Sequence, residues 1–593
     1  MNIKFRKTVL YSAVIISIIA FLYFFNRYHF VHAEQLQLFR FDKWFFTEML
    51  SAPGGVSILL EKFIQQFNYY PIQGIIIFVG LLTILYFLLR KILKKTGVNP
   101  LLAIFPVSIV LALQLNYNYH LRSTIAILFT LLLYYCYLQV KRPLLKNSFI
   151  IVLPVLAFLI GGGYGLYLLI LMVFSILIKM ESDFQPGFLR TIIFSILSLL
   201  SIYLICRFLY VSLNSSIYEA CTPLNTLNSY FLVLYILLLA FLLVISFFNS
   251  LTHRFFSKKI GLITLYGISA IIPFISYDNK TEKFFEIEHY FTSENYPQVV
   301  KLVVKYPGND HLVLYLGNIA LSRTKQMGDS LFHFRQTFGP DGLYMKNEPI
   351  NLSTLYGGAL YQHLRYLNEA RHWDFNSLVI NGDAPATLKK LVVYELVNGN
   401  YNVAKKYLMR LSQSIFYRKW ALEYYKYLKK PMLIESNDEM AIMRKYFATN
   451  DFYHDRFDLQ LKALLAMHPD NRAAFDYLIS YFLLKKDLNS FMDALAYLKE
   501  FRMYTLPVHF EEALLVCQSI LPERAKEVEA FIIRDETRMR FDQYVQLYSS
   551  SGNNPEEIHK KLSKNFKNTY WFYLDFSPYV EPESEPNVQL FPQ

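Results

Sequence analysis

Apolar stretches of near-bilayer length recur along this chain as far as residue 277 and then stop. Nine of them can be marked, at residues 8–25, 72–89, 101–115, 123–140, 149–160, 166–178, 191–206, 231–248 and 260–277. Most approach the ~20 residues that cross a hydrocarbon core of ~30 Å. The fifth and sixth are short and meet at Gly161-Gly162-Gly163-Tyr164-Gly165, which reads as a hairpin with a glycine turn, with partial re-entry as the alternative. Nine is odd, so the two ends of this part fall on opposite sides of a membrane. The expected fold is all-α: a polytopic bundle over 1–278, a long first outer loop at 26–71, a helical domain over 279–575 and a disordered tail at 576–593.

Basic residues set the direction. Lys4, Arg6 and Lys7 precede the first stretch, and Arg90, Lys91, Lys94 and Lys95 follow the second. Lys141, Arg142 and Lys146 follow the fourth, Lys179 and Arg190 flank the sixth-to-seventh loop, and Arg254, Lys258 and Lys259 precede the ninth. All five clusters share one side under the nine-span reading, which makes that side cytoplasmic. Much of the +13 net charge is then topological and forms no stripe on a soluble face, so no nucleic-acid partner is expected. The first stretch has a basic start like a signal peptide, but bulky Phe24-Phe25-Asn26-Arg27 offers no small-residue cleavage site, so it is read as a retained span.

Composition fits two parts. Hydrophobic residues make up 54% of the chain, yet the mean hydropathy is only +0.26, because a polar half dilutes an apolar one. Four cysteines show no CxxC spacing, so neither a zinc site nor a disulfide framework is expected. Cys136 and Cys206 fall inside apolar stretches. Cys221 and Cys517 share an expected side, which permits a bond, although cysteines that simply pack are commoner.

Past residue 278 helical patterns of ten to sixteen residues alternate with short polar turns. Asn398-Gly399-Asn400 separates two of them, with Gly399 suited to a C-terminal cap. Tyr401, Ala404 and Tyr407 then supply the large, small and aromatic positions of a tetratricopeptide second helix. Residues 487–501 and 296–304 resemble further such helices. No strict period survives, so the expectation is a degenerate TPR-like α-solenoid, with an irregular all-helical domain as the alternative. Asn554 and Pro555 look like an N-cap and first helical position.

Candidate chemistry lies in the first outer loop, whose acids are Glu34, Asp42, Glu48 and Glu61. Trp44 and the neighbouring phenylalanines would anchor this loop in the interface. A carboxylate held there can deprotonate an acceptor hydroxyl, or hold a divalent cation (Mg or Mn) on a departing pyrophosphate. Glu34 is the first candidate and Asp42 the second. The plainer reading is that these acids cap helices or pair with Lys43 and Lys62. Arg122 and Arg207, with His120 behind them, are the candidate cations for a lipid pyrophosphate, since a guanidinium fork suits phosphate. Snorkelling to the interface is the alternative. Charges are nearly absent inside the apolar stretches, which disfavours ion-coupled transport.

The run 32–39, Pro53-Gly54-Gly55, Gly328-Asp329-Ser330-Leu331-Phe332-His333-Phe334, Gly339-Pro340-Asp341-Gly342-Leu343 and Phe416-Tyr417-Arg418-Lys419-Trp420-Ala421 resemble an uncharacterised family of Bacteroidota membrane proteins over nearly the whole chain. That resemblance implies a bacterial inner membrane with the helical domain in the periplasm. In it the Glu34-Gln35 pair is typical and the position of Asp42 less so. The architecture is similar, at fold level, to the GT-C glycosyltransferases, whose long first outer loop bears an acid. The run Phe41-Asp42-Lys43-Trp44-Phe45 resembles the acidic motif of oligosaccharyltransferases. The resemblance implies transfer of a sugar or oligosaccharide from a polyprenyl-phosphate-linked donor to a protein or glycan acceptor. A membrane-anchored scaffold for envelope proteins is the alternative, and a polysaccharide polymerase or lipid-linked sugar transporter a third.

Overall fold

The computed structural model describes residues 3–142, 152–153, 155–179, isolated positions between 196 and 223, then 227–247, 259–346, 351–446, 456–501, 505–551 and 554–577. Among the described residues every regular element is a helix and no strand occurs. The chain forms two compact units. One takes 1–282 together with 413–417; the other takes 283–412 and continues from 418.

In the first unit, α1 (Ile3–Phe25) and α2 (Arg27–Gln35) precede two loop helices, α3 (Lys43–Ser51) and α4 (Gly55–Gln65). Then come α5 (Pro71–Lys95), α6 (Ile104–Gln114), α7 (Leu121–Gln139), α8 (Gly162–Lys179), α9 (Ser229–Phe247) and α10 (Lys259–Ser276). Pro71 opens α5 where a missing N–H costs nothing. From Pro106 to its end α6 is buried on every side, packed against α5, α9 and α10. That burial explains why it is apolar all round rather than on one stripe. α7 packs against α4, α5 and α8.

The glycine turn lies where the sequence puts it. Gly161 takes φ +125°, a conformation that favours glycine. A Cβ on Gly165 would lie 2.2 Å from that of Ala157. Along one straight helix those positions would stand about 12 Å apart, so the chain doubles back at Gly161.

Among the described residues, only α5 and α7 are each long and apolar enough to cross a bilayer alone. Two further pairs, Val9–Phe25 with Arg27–Gln35 and Ile260–Ser276 with Asn279–Thr292, reach that length across bends of 69° and 51°. Pro100–Gln114, Gly162–Val173 and Ser229–Ile245 are apolar but shorter. Two to four helices among the described residues are therefore long and apolar enough to span, against nine spans expected from hydropathy. Most of the expected span 191–206 lies outside the described residues, as do Lys146, Arg190, Arg254, Lys258, Cys206, Cys221 and the tail from 578.

In the second unit helices pack on their sequence neighbours: Tyr296–Val304 on His311–Arg323, and Pro385–Val397 on Tyr401–Ser412, which packs on Arg418–Lys429. Gly399 takes φ +77° in the turn at 398–400. Ala404 and Tyr407 are buried, the small residue admitting the paired helix. The helix expected through 501 ends at Ala494 and tightens into a 3-10 turn, Leu495–Glu500. Asn554 caps Pro555–Phe566, accepting from the Glu556 N–H at 3.1 Å.

Candidate functional site

The bend after α1 starts a polar helix. The backbone N–H groups of Tyr28 and His29 donate to the Glu282 carboxylate at 2.8 and 3.3 Å, an acid meeting the positive end of α2. α2 then lies against α5 and the 3-10 turn Gln66–Tyr69. This docking buries His29, His32 and Glu34, so the last turn carries a carboxylate only 4% exposed.

The Tyr417 hydroxyl meets that carboxylate, 2.7 Å from Oε1 and 2.9 Å from Oε2 of Glu34. Tyr417 belongs to the short segment 413–417, which lies far along the chain but is part of the first unit. Three features hold the segment. The Phe41 N–H donates to the Gln413 carbonyl at 2.9 Å, Ser414 is buried, and Phe416 stacks on Tyr69 with centroids 5.0 Å apart. Burial, followed by the adjacent Glu34 charge, holds the Tyr417 phenol well above its usual value. It therefore stays protonated and donates.

Asp42 has different work. It is the N-cap of α3: Oδ1 accepts from the Phe45 N–H at 2.9 Å, and Arg40 Nε stands 3.5 Å from Oδ2. That is the helix-capping reading of this acid. Trp44 beside it is 76% exposed, and Phe41 is exposed too, as interfacial anchors would be.

Glu61, present among the loop acids but not singled out from sequence, is buried on α4 and accepts from the Arg122 N–H at 3.0 Å. The Ser57 hydroxyl, one turn earlier, donates to the Ile160 carbonyl at 2.9 Å. These bonds fix α4 to the start of α7 and to the chain just before Gly161. The Arg122 Nε is buried with no hydrogen-bond partner. Such an orphan donor is costly unless a ligand meets it. His120 precedes α7 as an exposed residue that makes no side-chain cap, and Arg207 is exposed. The structure joins the Glu34 carboxylate to Tyr417, and the Arg122 backbone to Glu61. The polar loop at 116–120 folds on itself, Asn116 Oδ1 accepting from the Asn118 N–H at 2.8 Å and Tyr119 turning inside.

Among the described residues no group of three or more His, Cys, Asp or Glu is placed to hold a metal ion. At Glu34 the Tyr417 phenol donates, and at Asp42 the Phe45 N–H donates while the Arg40 guanidinium stands within ion-pair distance. A groove of about 230 Å³ lies wholly within the second unit, lined by Ile520, Tyr544, Tyr548, Trp571 and Asp575 among others.

Residues 1–577 match the profile of a family described as a family of unknown function (DUF6057). The chain belongs to that family. The match runs through both units and takes in Glu34, Asp42, Arg122, Arg207 and Tyr417. No curated protein and no solved structure matches the chain at a significant level.

Tyr417 and Glu61 are the residues that sequence reasoning missed. The Phe416-Tyr417 pair was visible only as part of a family-like run. Nothing in the sequence brings it to position 34, because the contact spans 383 residues.

Proposed function

We propose that this is a multi-pass envelope protein that transfers a sugar or oligosaccharide from a polyprenyl-phosphate-linked donor to an extracytoplasmic protein or glycan, with Glu34 as general base. The observation that carries the reading is the burial of Glu34 beside a phenol, at the end of a helix that follows the first apolar helix. A carboxylate is costly to bury unless its partners answer it, which makes one held in this way a candidate for a role beyond packing.

In this reading Glu34 takes the proton of the acceptor hydroxyl as its oxygen attacks the anomeric carbon. The bond from that carbon to the donor phosphate oxygen breaks, and the lipid phosphate leaves with the electron pair. Tyr417 holds the carboxylate in register as a positioning residue. Arg122, whose Nε is unmet, would take a phosphate oxygen. The nine-span topology with its basic loops on one side belongs to this proposal, as does an inner-membrane location. So does a TPR-like second unit presenting the acceptor; stacking of sequential helices and the Gly399 turn support it.

A second reading, a non-enzymatic scaffold, is favoured by one observation: the Glu34 carboxylate already accepts from the Tyr417 hydroxyl, which lies within reach of both its oxygens. The acid would then be a clasp for the 413–417 segment. Comparing glycans from a deletion strain complemented with wild type or Glu34→Gln separates the two. An amide can still accept from Tyr417 but cannot act as a base. Under the transferase reading, wild type restores a missing glycan species and Glu34→Gln, equally abundant in the membrane, does not. Restoration by both leaves the clasp, and no glycan change in the deletion strain removes the enzyme reading.

A further inference from the structure

The Arg418–Lys429 helix turns a basic face outward. Ala421 and Tyr427 are buried against their neighbours. Arg418, Lys419, Leu422, Lys426 and Lys429 are exposed, followed by exposed Lys430 and by Met432, which is 87% exposed. The lone acid of this stretch, Glu423, is spent on Lys426 at 3.7 Å. Trp420 and Tyr424 stack at 3.9 Å along the helix, half-buried, with the Lys389 ammonium 5.3 Å from the indole centroid. Cations ringing protruding Leu and Met side chains, with Trp and Tyr at the flank, is the composition of helices that lie in a lipid interface.

Chain connectivity adds a constraint. Arg418 follows Tyr417 directly, and Tyr417 is held by Glu34 in the loop that exposes Trp44 and Phe41. If that loop lies at a membrane surface, the helix begins one peptide bond from it. Clustered lysines and arginines at such a position attract negative headgroups.

We propose that the exposed face of the Arg418–Lys429 helix, continued by Lys430 and Met432, is a docking surface for anionic phospholipid headgroups, with Leu422 and Met432 entering the acyl boundary. The proposal rests on the first unit being embedded in a bilayer and is independent of any transferase activity.

The test uses the full chain in nanodiscs of phosphatidylcholine, with or without about 30% phosphatidylglycerol, and reads hydrogen exchange across 418–432. Several-fold slower exchange is expected in the anionic discs. Raising the salt should abolish the difference. So should combining Lys419→Gln, Lys426→Gln, Lys429→Gln and Lys430→Gln, while the buried Pro385–Val397 helix keeps its protection as the control for folding. Equal exchange in the two lipids overturns the proposal, as does a lipid difference that survives the fourfold substitution. A milder pair, Lys426→Gln with Lys430→Gln, should give an intermediate effect if the larger variant loses the control protection. A chain that does not enter discs at all removes the membrane reading itself, a failure distinguishable from loss of the lipid preference.

Discussion

At the residue scale the contact that most repays testing is between Glu34 and Tyr417. Its phenol donates to a buried carboxylate, and hydrogen bonds to charged groups contribute about 1.5–3 kcal/mol. Tyr417→Phe should therefore destabilise the first unit by roughly that amount in a detergent melting series. Glu34→Gln should cost less, because the amide oxygen still accepts. Equal melting of Tyr417→Phe and wild type would show that the bond is not made in solution. The raised Tyr417 value also fixes a pH dependence. A group whose folded value is raised contributes stability that is complete below its unfolded value, about 10 for tyrosine, and lost as pH climbs beyond it. The wild type should thus soften in alkali above about pH 10 more steeply than Tyr417→Phe. Asp42 predicts a different pattern: Asp42→Ala should cost about 0.5–2 kcal/mol through a lost cap, and Asp42→Asn nearly nothing.

At the element scale, the hairpin at Gly161 turns on two glycines with different duties. Gly161 supplies a backbone conformation, and Gly165 supplies space. Adding a methyl at Gly165 drives it into Ala157, so Gly165→Ala should destabilise by about 1–3 kcal/mol. Ala157→Gly in the same chain should recover part of the loss, since the Ala157 backbone, 2.8 Å from the new Cβ, remains in the way. No recovery would mean the strain lies elsewhere. In the second unit Gly357 plays the same part for Trp373, whose ring would stand 2.2 Å from a Cβ at that position. Cys517 on the Val508–Ile520 helix is a packed thiol that burial pushes up to about 12. It should resist maleimide in the folded protein and react once the chain is denatured.

At the scale of the whole molecule the prediction concerns topology. Single cysteines placed beside Lys94 and beside Trp44 should label from opposite sides of sealed vesicles if α5 crosses the bilayer. Labelling of both from one side would reduce α5 to a buried helix of a surface-bound bundle. Much of the helix inventory was legible beforehand, since apolar runs at 72–89 and 123–140 correspond closely to α5 and α7. The bends were not legible. Hydropathy counts side chains and is blind to direction, so it gives no sign that the axis turns by 69° after Phe25.

The sequence by itself determined the all-α class, the place where apolar character ends, the glycine turn and the cap at Asn554, because each rests on local chemistry within a few residues. Only the tertiary structure decided which acid is a helix cap and which is buried against a phenol. It alone assigned residues 413–417 to the first unit and set the Arg122 backbone against Glu61. Those outcomes depend on contacts between positions far apart in the chain, and a single sequence carries no distance between them.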